Sequence, residues 1–209
     1  MNKIILAIFL LITLSLPVDA FDYNNYTKYV VSINTVHDKY VSCGNGFFIA
    51  SGLILTNKHI VEHKKGDIIV IRTSDNDYLV GTEVKEYKDL ALIKVGKKTP
   101  FLYLSNNLNK KDAVHIVSYF NNNYLSQDGN FLDKEASKWG GNEYDNALRL
   151  SNYATFGYSG SPVLNDNGEV IGVLSSACRL YFDLLGNKVS VFINSYAIST
   201  DDVLKFLQR

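Results

Sequence analysis

Gly157-Tyr158-Ser159-Gly160-Ser161-Pro162-Val163-Leu164-Asn165-Asp166-Asn167-Gly168-Glu169-Val170-Ile171-Gly172-Val173-Leu174-Ser175 carries two signals at once. The apolar runs 161–164 and 170–175 read as short strands rich in β-branched residues, which fit a pleated, half-buried surface. Asp166, Asn167 and Gly168 lie between them, and Asn and Gly tolerate the positive φ of a tight hairpin turn. Just before the hairpin stands a serine flanked by glycines. Gly157 and Gly160 permit backbone geometry that other residues resist. The amides of Gly157 and Ser159 can then turn toward one point.

Outward from this stretch the strand pattern repeats. Runs 46–49, 52–56, 67–72 and 90–95 precede it, as do 113–119 and 147–150, and 189–193 follows. Many short strands with frequent turns predict an all-β sandwich or barrel. Residues 96–112 are polar, contain Pro100 and read as a link between two halves. Residues 120–146, rich in Asn, Asp, Gly and Lys, read as a long loop. A short helix is expected over 59–64. A second starts after Ser199, whose hydroxyl caps it, with Asp201 and Asp202 at the positive end of its dipole. Val203, Phe206 and Leu207 recur there at helical spacing.

Asn2 and Lys3 lead into an apolar run, residues 4–16, followed by Pro17-Val18-Asp19-Ala20. This reads as a secretory leader cut after Ala20, since the run is shorter than the roughly 18–20 residues of a membrane span. Residues 21–209 then form the mature chain, exported to a periplasm or beyond the cell and free of the membrane. The 21 basic and 21 acidic residues balance. With no long basic block, no nucleic-acid partner is expected. Cys43 and Cys178 can form one disulfide after export or stand as separate thiols; both remain open. His59 and His63 are four apart, but with His37 and His115 they give no dependable ligand spacing, so no metal is expected.

Amide hydrolysis at neutral pH needs a nucleophile, a base and donors for the developing oxyanion. Three runs supply such parts in order. Gly44-Asn45-Gly46-Phe47-Phe48-Ile49 is followed by Gly52-Leu53-Ile54-Leu55-Thr56-Asn57-Lys58-His59-Ile60-Val61. Then come Lys88-Asp89-Leu90-Ala91-Leu92-Ile93-Lys94-Val95 and the Ser159 run. The Gly-x-Ser-x-Gly elbow of α/β-hydrolases fails, because Ser161 occupies its last glycine.

At these residues the chain resembles the trypsin-like, chymotrypsin-fold serine peptidases, and within them the bacterial HtrA-like and glutamyl-endopeptidase-like branches. The resemblance spans about residues 28–208. It implies two six-stranded antiparallel β-barrels, about 28–100 and 110–198, a C-terminal helix over 200–208, and a cleft between the barrels. It implies His59 as general base, Asp89 as its orienting partner and Ser159 as nucleophile, with the Gly157 and Ser159 amides as oxyanion donors. Ser175 would lie under Asp89. Ser176 and Ala177 would pair with an extended protein or peptide substrate, and Tyr153, Thr155 and Ser190 would line the pocket floor. No acid stands at the expected pocket base, so a small or medium neutral side chain is the expected preference. Tyr158 stands where the digestive branch has an aspartate, so no activation by a freed N-terminus is expected. No cofactor, no PDZ domain and no particular oligomeric state is implied. The alternative is a pseudoprotease that holds peptides without cutting them.

Overall fold

The computed structural model describes residues 21–62, 67–184 and 187–209. The leader, His63 and the end of the expected 59–64 helix lie outside these residues.

Two closed barrels form the protein, with six strands in each. The first runs β1 (Val30–Val36), β2 (Val41–Ala50), β3 (Leu53–Thr56), β4 (Ile68–Arg72), β5 (Tyr78–Tyr87) and β6 (Leu90–Lys94). The second runs β7 (Ala113–Phe120), β8 (Asn123–Trp139), β9 (Asn142–Leu150), β10 (Pro162–Leu164), β11 (Val170–Leu184) and β12 (Asn187–Ser199). All the strand pairs within the barrels are antiparallel. Closure removes open edges from the barrel bodies, while the long β8–β9 and β11–β12 hairpins run past them. A short helix, α1 (Lys58–Val61), follows β3, and α2 (Thr200–Gln208) ends the chain.

Each barrel fills its own interior. Ile33, Phe48, Ile54, Ile71 and Ile93 pack in the first, with Ile60 and Val61 of α1. Ile116, Leu148, Leu150, Val163 and Leu174 pack in the second. A third cluster joins them: Phe47, Leu55 and Leu90 from one barrel meet Val117, Tyr144 and Val173 from the other, with Val203 and Phe206 of α2. The Ser199 hydroxyl accepts from the Asp202 amide at 3.4 Å, as the expected cap. The link between the barrels is irregular but pinned. Leu102 N–H donates to the Phe48 carbonyl, and Ser105 N–H to that of Val170.

The expected loop over 120–146 is mostly hairpin instead: β8 and β9 extend far from the barrel. Trp139 pairs with Asn142 across Gly140 and Gly141, which both have positive φ (56° and 77°). Phe120 pairs with Asn123 across Asn121 and Asn122, also at positive φ. These are the two-residue turns whose twist matches paired strands. The sequence looks loop-like because β8 is largely solvated and its polar residues break the apolar run. β5 passed unread for the same reason, since exposed and half-buried residues alternate along it. β1 was also unread; Ser32 and Asn34 interrupt its apolar positions. In the β10–β11 turn only Gly168 takes positive φ, 75°.

Phe206 is fully buried under the seam. Phe206→Ala is expected to lower the unfolding free energy by about 3–5 kcal/mol. Urea denaturation followed by tryptophan fluorescence measures it.

Candidate active site

The site is built at the seam, from the rims of both barrels. Two donors hold the start of α1 against the start of β6: Lys58 N–H and Asn57 Nδ2 both reach the Asp89 carbonyl, at 3.2 and 3.1 Å. That contact brings His59 over Asp89. The His59 backbone N–H donates to Asp89 Oδ1 at 3.1 Å, and His59 Nδ1 lies 2.9 and 3.0 Å from the two carboxylate oxygens. A proton on Nδ1 facing this carboxylate leaves Nε2 as the acceptor.

Asp89 is 5% exposed. A carboxylate at that depth is costly unless it is hydrogen-bonded. Its second oxygen accepts from Ser175 Oγ at 2.6 Å, and Ser175 Oγ accepts from Trp139 Nε1 at 2.7 Å. Ser175 reaches this place at a register shift between Leu174 and Ser176 in β11. Trp139 arrives on the hairpin that the sequence presented as loop, stacked on Tyr144 at 4.2 Å. The Tyr144 hydroxyl in turn accepts from the Asp89 N–H at 3.2 Å. Burial pushes the Tyr144 phenol well above its ordinary range. Neither Trp139 nor Tyr144 was anticipated; the only signal was aromatics scattered through a largely polar stretch.

The Ser159 loop is tied to the first barrel by Asn45, which is fully buried. The Asn45 N–H donates to the Ser159 carbonyl at 2.8 Å, its Nδ2 donates to the Gly157 carbonyl at 2.7 Å, and its Oδ1 accepts from the Tyr119 N–H at 2.7 Å. Gly160 has φ 82°, and a Cβ there would lie 1.9 Å from the Asn45 carbonyl oxygen. Only glycine fits. Tyr158 is 4% exposed and packs its ring edge-on to Phe120, 5.2 Å away. Its bulk enters the second barrel's core.

Thr155 C=O accepts from Tyr158 N–H at 3.2 Å, with Gly157 at φ 93°. A turn with positive φ at its third residue is of type II. Among the described residues, neither the Gly157 nor the Ser159 N–H donates to a protein acceptor. The Ser159 hydroxyl points to the Ser175 carbonyl, 3.5 Å away, a loose contact, rather than to His59. Both side chains open on one pocket of about 310 Å³.

That pocket is lined by Thr155, Ser175, Ser176 and Ala177, along with Ala154, Phe156, Leu174, Arg179 and Tyr181. Ser190 and Tyr153 are not among the residues that line it. Ser190 pairs with Tyr181 on the β11–β12 hairpin, whose strands run well beyond the expected 170–175 and 189–193. Ser195 lies opposite Ala177 instead and is fully buried. Tyr153 packs on Phe192, ring centroids 5.2 Å apart.

The other groups take separate places. His37 Nδ1 sits 2.7 Å from Asp67, and His115 lies between Asp128 and Asp166. Cys43 is exposed and Cys178 half-buried, both as free thiols. Among the described residues, no group of His, Cys, Asp or Glu could hold a metal ion, and no helix is long and apolar enough to cross a membrane.

Known proteins share both fold and sequence with this chain. The HtrA-type protease AlgW with a tripeptide superposes with a TM-score of 0.73 at 21% identity, over 90% of this chain and 62% of that one. An inactive form of Rv3671c from M. tuberculosis H37Rv superposes at 0.71 and 18% identity, over 92% and 96%. The mitochondrial serine protease HTRA2 of Drosophila willistoni is 30% identical over 178 residues, 80% of this chain and 38% of the relative. A probable periplasmic DegP-like serine endoprotease of Bartonella henselae is 30% identical over 140 residues, 64% of this chain and 27% of the relative. The chain thus spans well under half the length of these curated relatives. The model of the trypsin-like peptidase domain matches residues 44–173, most of the chain, and the protein belongs to that family.

Proposed function

We propose that this chain is a serine endopeptidase that cleaves peptide bonds through an acyl-enzyme. One observation carries the reading: a buried carboxylate holds His59 by Nδ1 at the mouth of the pocket that Ser159 also lines. His59 Nε2 takes the Ser159 proton as Oγ attacks the scissile carbonyl. The carbonyl becomes a tetrahedral oxyanion facing the Gly157 and Ser159 amides. Collapse breaks the C–N bond, and His59 returns the proton to the leaving amine. Water, activated by the same imidazole, then releases the acyl group. Asp89 stabilises the imidazolium without taking its proton.

Several features support the parts. A type II turn differs from type I by a flip of its central peptide, whose N–H here belongs to Gly157. Asn45 secures the carbonyl on the far side of that residue. The Ser159 hydroxyl needs only a rotation away from its 3.5 Å contact to reach the imidazole, and such bonds often tighten only with substrate present. Ser176 and Ala177 offer strand edge to a substrate backbone. The Tyr158 ring is buried and lines no part of the pocket, which favours hydrolysis over a pseudoprotease that only holds peptides. Export is part of the proposal and rests on residues 1–20. The relatives' names point to different compartments, periplasm and mitochondrion.

Ser159→Ala is expected to lower turnover of a general protein substrate by roughly 10⁴–10⁶-fold while leaving thermal unfolding unchanged. Full activity in that variant would overturn the assignment. Trp139 is a positioning residue, acting through Ser175 on Asp89. Trp139→Phe keeps an aromatic ring against Tyr144 but removes the donor. It should lower kcat by about 2- to 10-fold with KM little changed, the size of one neutral hydrogen bond. Steady-state kinetics on a peptide substrate measures this.

A further inference from the structure

Ala177, Arg179 and Tyr181 all line the Ser159 pocket. They are alternate residues of β11, and alternate residues of a strand share one face. The register against β12 slips between Cys178 and Arg179, where Cys178 pairs with Asn194 but Arg179 with Phe192. The residue skipped by that slip is Ile193 of β12, so the alternation along β11 runs unbroken from Ala177 to Tyr181. Among the described residues, Arg179 is the one permanently charged side chain in a pocket otherwise lined by apolar and hydroxyl groups and His59.

The Arg179 charge has no carboxylate partner among the described residues. Its Nη2 donates to the Tyr153 hydroxyl at a long 3.4 Å, and its guanidinium lies 5.9 Å from the Tyr153 ring centre. The hydrogen bond from Arg179 lowers the Tyr153 pKa from its ordinary value. A half-buried guanidinium held by one neutral partner keeps most of its five donors unused. The groups nearest Ser159 compound this. Thr155 and Ser176 add hydroxyls to the wall, and Phe156, 91% exposed, offers an apolar surface to a methylene stem.

We propose that Arg179 sets the specificity of this site, selecting polypeptides with a glutamate or aspartate side chain on the acyl side of the scissile bond. Building on the peptidase reading above, it replaces the neutral preference expected from sequence. A carboxylate entering the pocket meets the guanidinium fork, whose geometry suits bidentate pairing. A lysine or arginine side chain meets a like charge.

The test is a set of peptides differing only in the residue before the scissile bond: Glu, Gln, Ala or Lys. Wild-type kcat/KM should favour Glu over Gln by about 10- to 100-fold, the range for a hydrogen bond to a charged group. Arg179→Gln should erase that ratio, Arg179→Lys should keep part of it, and Arg179→Glu should shift the preference to the Lys peptide. Equal cleavage of the Glu and Gln peptides, or a ratio that Arg179→Gln leaves intact, overturns the proposal. The same peptides are titrated against the Ser159→Ala variant, with and without Arg179→Gln. If the wild type cuts none of them, the peptidase reading fails, and tighter binding of the Glu peptide dependent on Arg179 still upholds the specificity. Indifferent binding then sinks both.

Discussion

A carboxylate buried between two barrels dominates the architecture of this protein. Asp89 opens β6 in the first barrel, yet several of its contacts come from the second. Ser175 of β11 bonds its side chain, Trp139 supports Ser175, and Tyr144 meets its backbone N–H. Removing any one of these leaves a polar group unpaired in the seam, where the penalty is largest. The same bonds that make the burial tolerable also dock the barrels in one orientation. His59 shares in this: its ring is held at the edge of the carboxylate and stays about half exposed toward the pocket.

Asn45 is a second tie across the seam, and it acts on the loop that carries Ser159. Its amide, side chain and carbonyl bond the Ser159 carbonyl, the Gly157 carbonyl, the Tyr119 amide and the Thr56 hydroxyl. A loop rich in glycine loses much conformational freedom on folding. Here that freedom is restricted by one fully buried asparagine from the other barrel and by the close approach at Gly160. The rest of the restraint comes from Tyr158, anchored in the second core beside Phe120. The family's digestive members use an aspartate at this position. The buried Tyr158 fixes this loop by packing, without a charge.

The sequence disclosed local things well. Ser159 between glycines, His59 after a strand and Asp89 at the head of one are each visible within a few residues, and their order led to the barrels. It disclosed poorly what depends on long strands and shifted registers. The β8–β9 hairpin is solvated along much of its length, so its pattern resembled a loop, and Trp139 and Tyr144 went unread with it. The β11–β12 hairpin extends well past the apolar runs that announced it and carries Ser190 opposite Tyr181. Arg179 was overlooked because the apolar run that announced β11 stops at Ser175, short of it, whereas the strand continues to Leu184.

The central claim is that Ser159 is an activated nucleophile. Incubation of the folded protein with a fluorophosphonate, followed by proteolytic mapping of the adduct by mass spectrometry, tests it most directly. The account predicts a single phosphonyl group on Ser159, with labelling strongly reduced in His59→Ala. A folded protein that stays unmodified at Ser159, or that is labelled equally without His59, would contradict it.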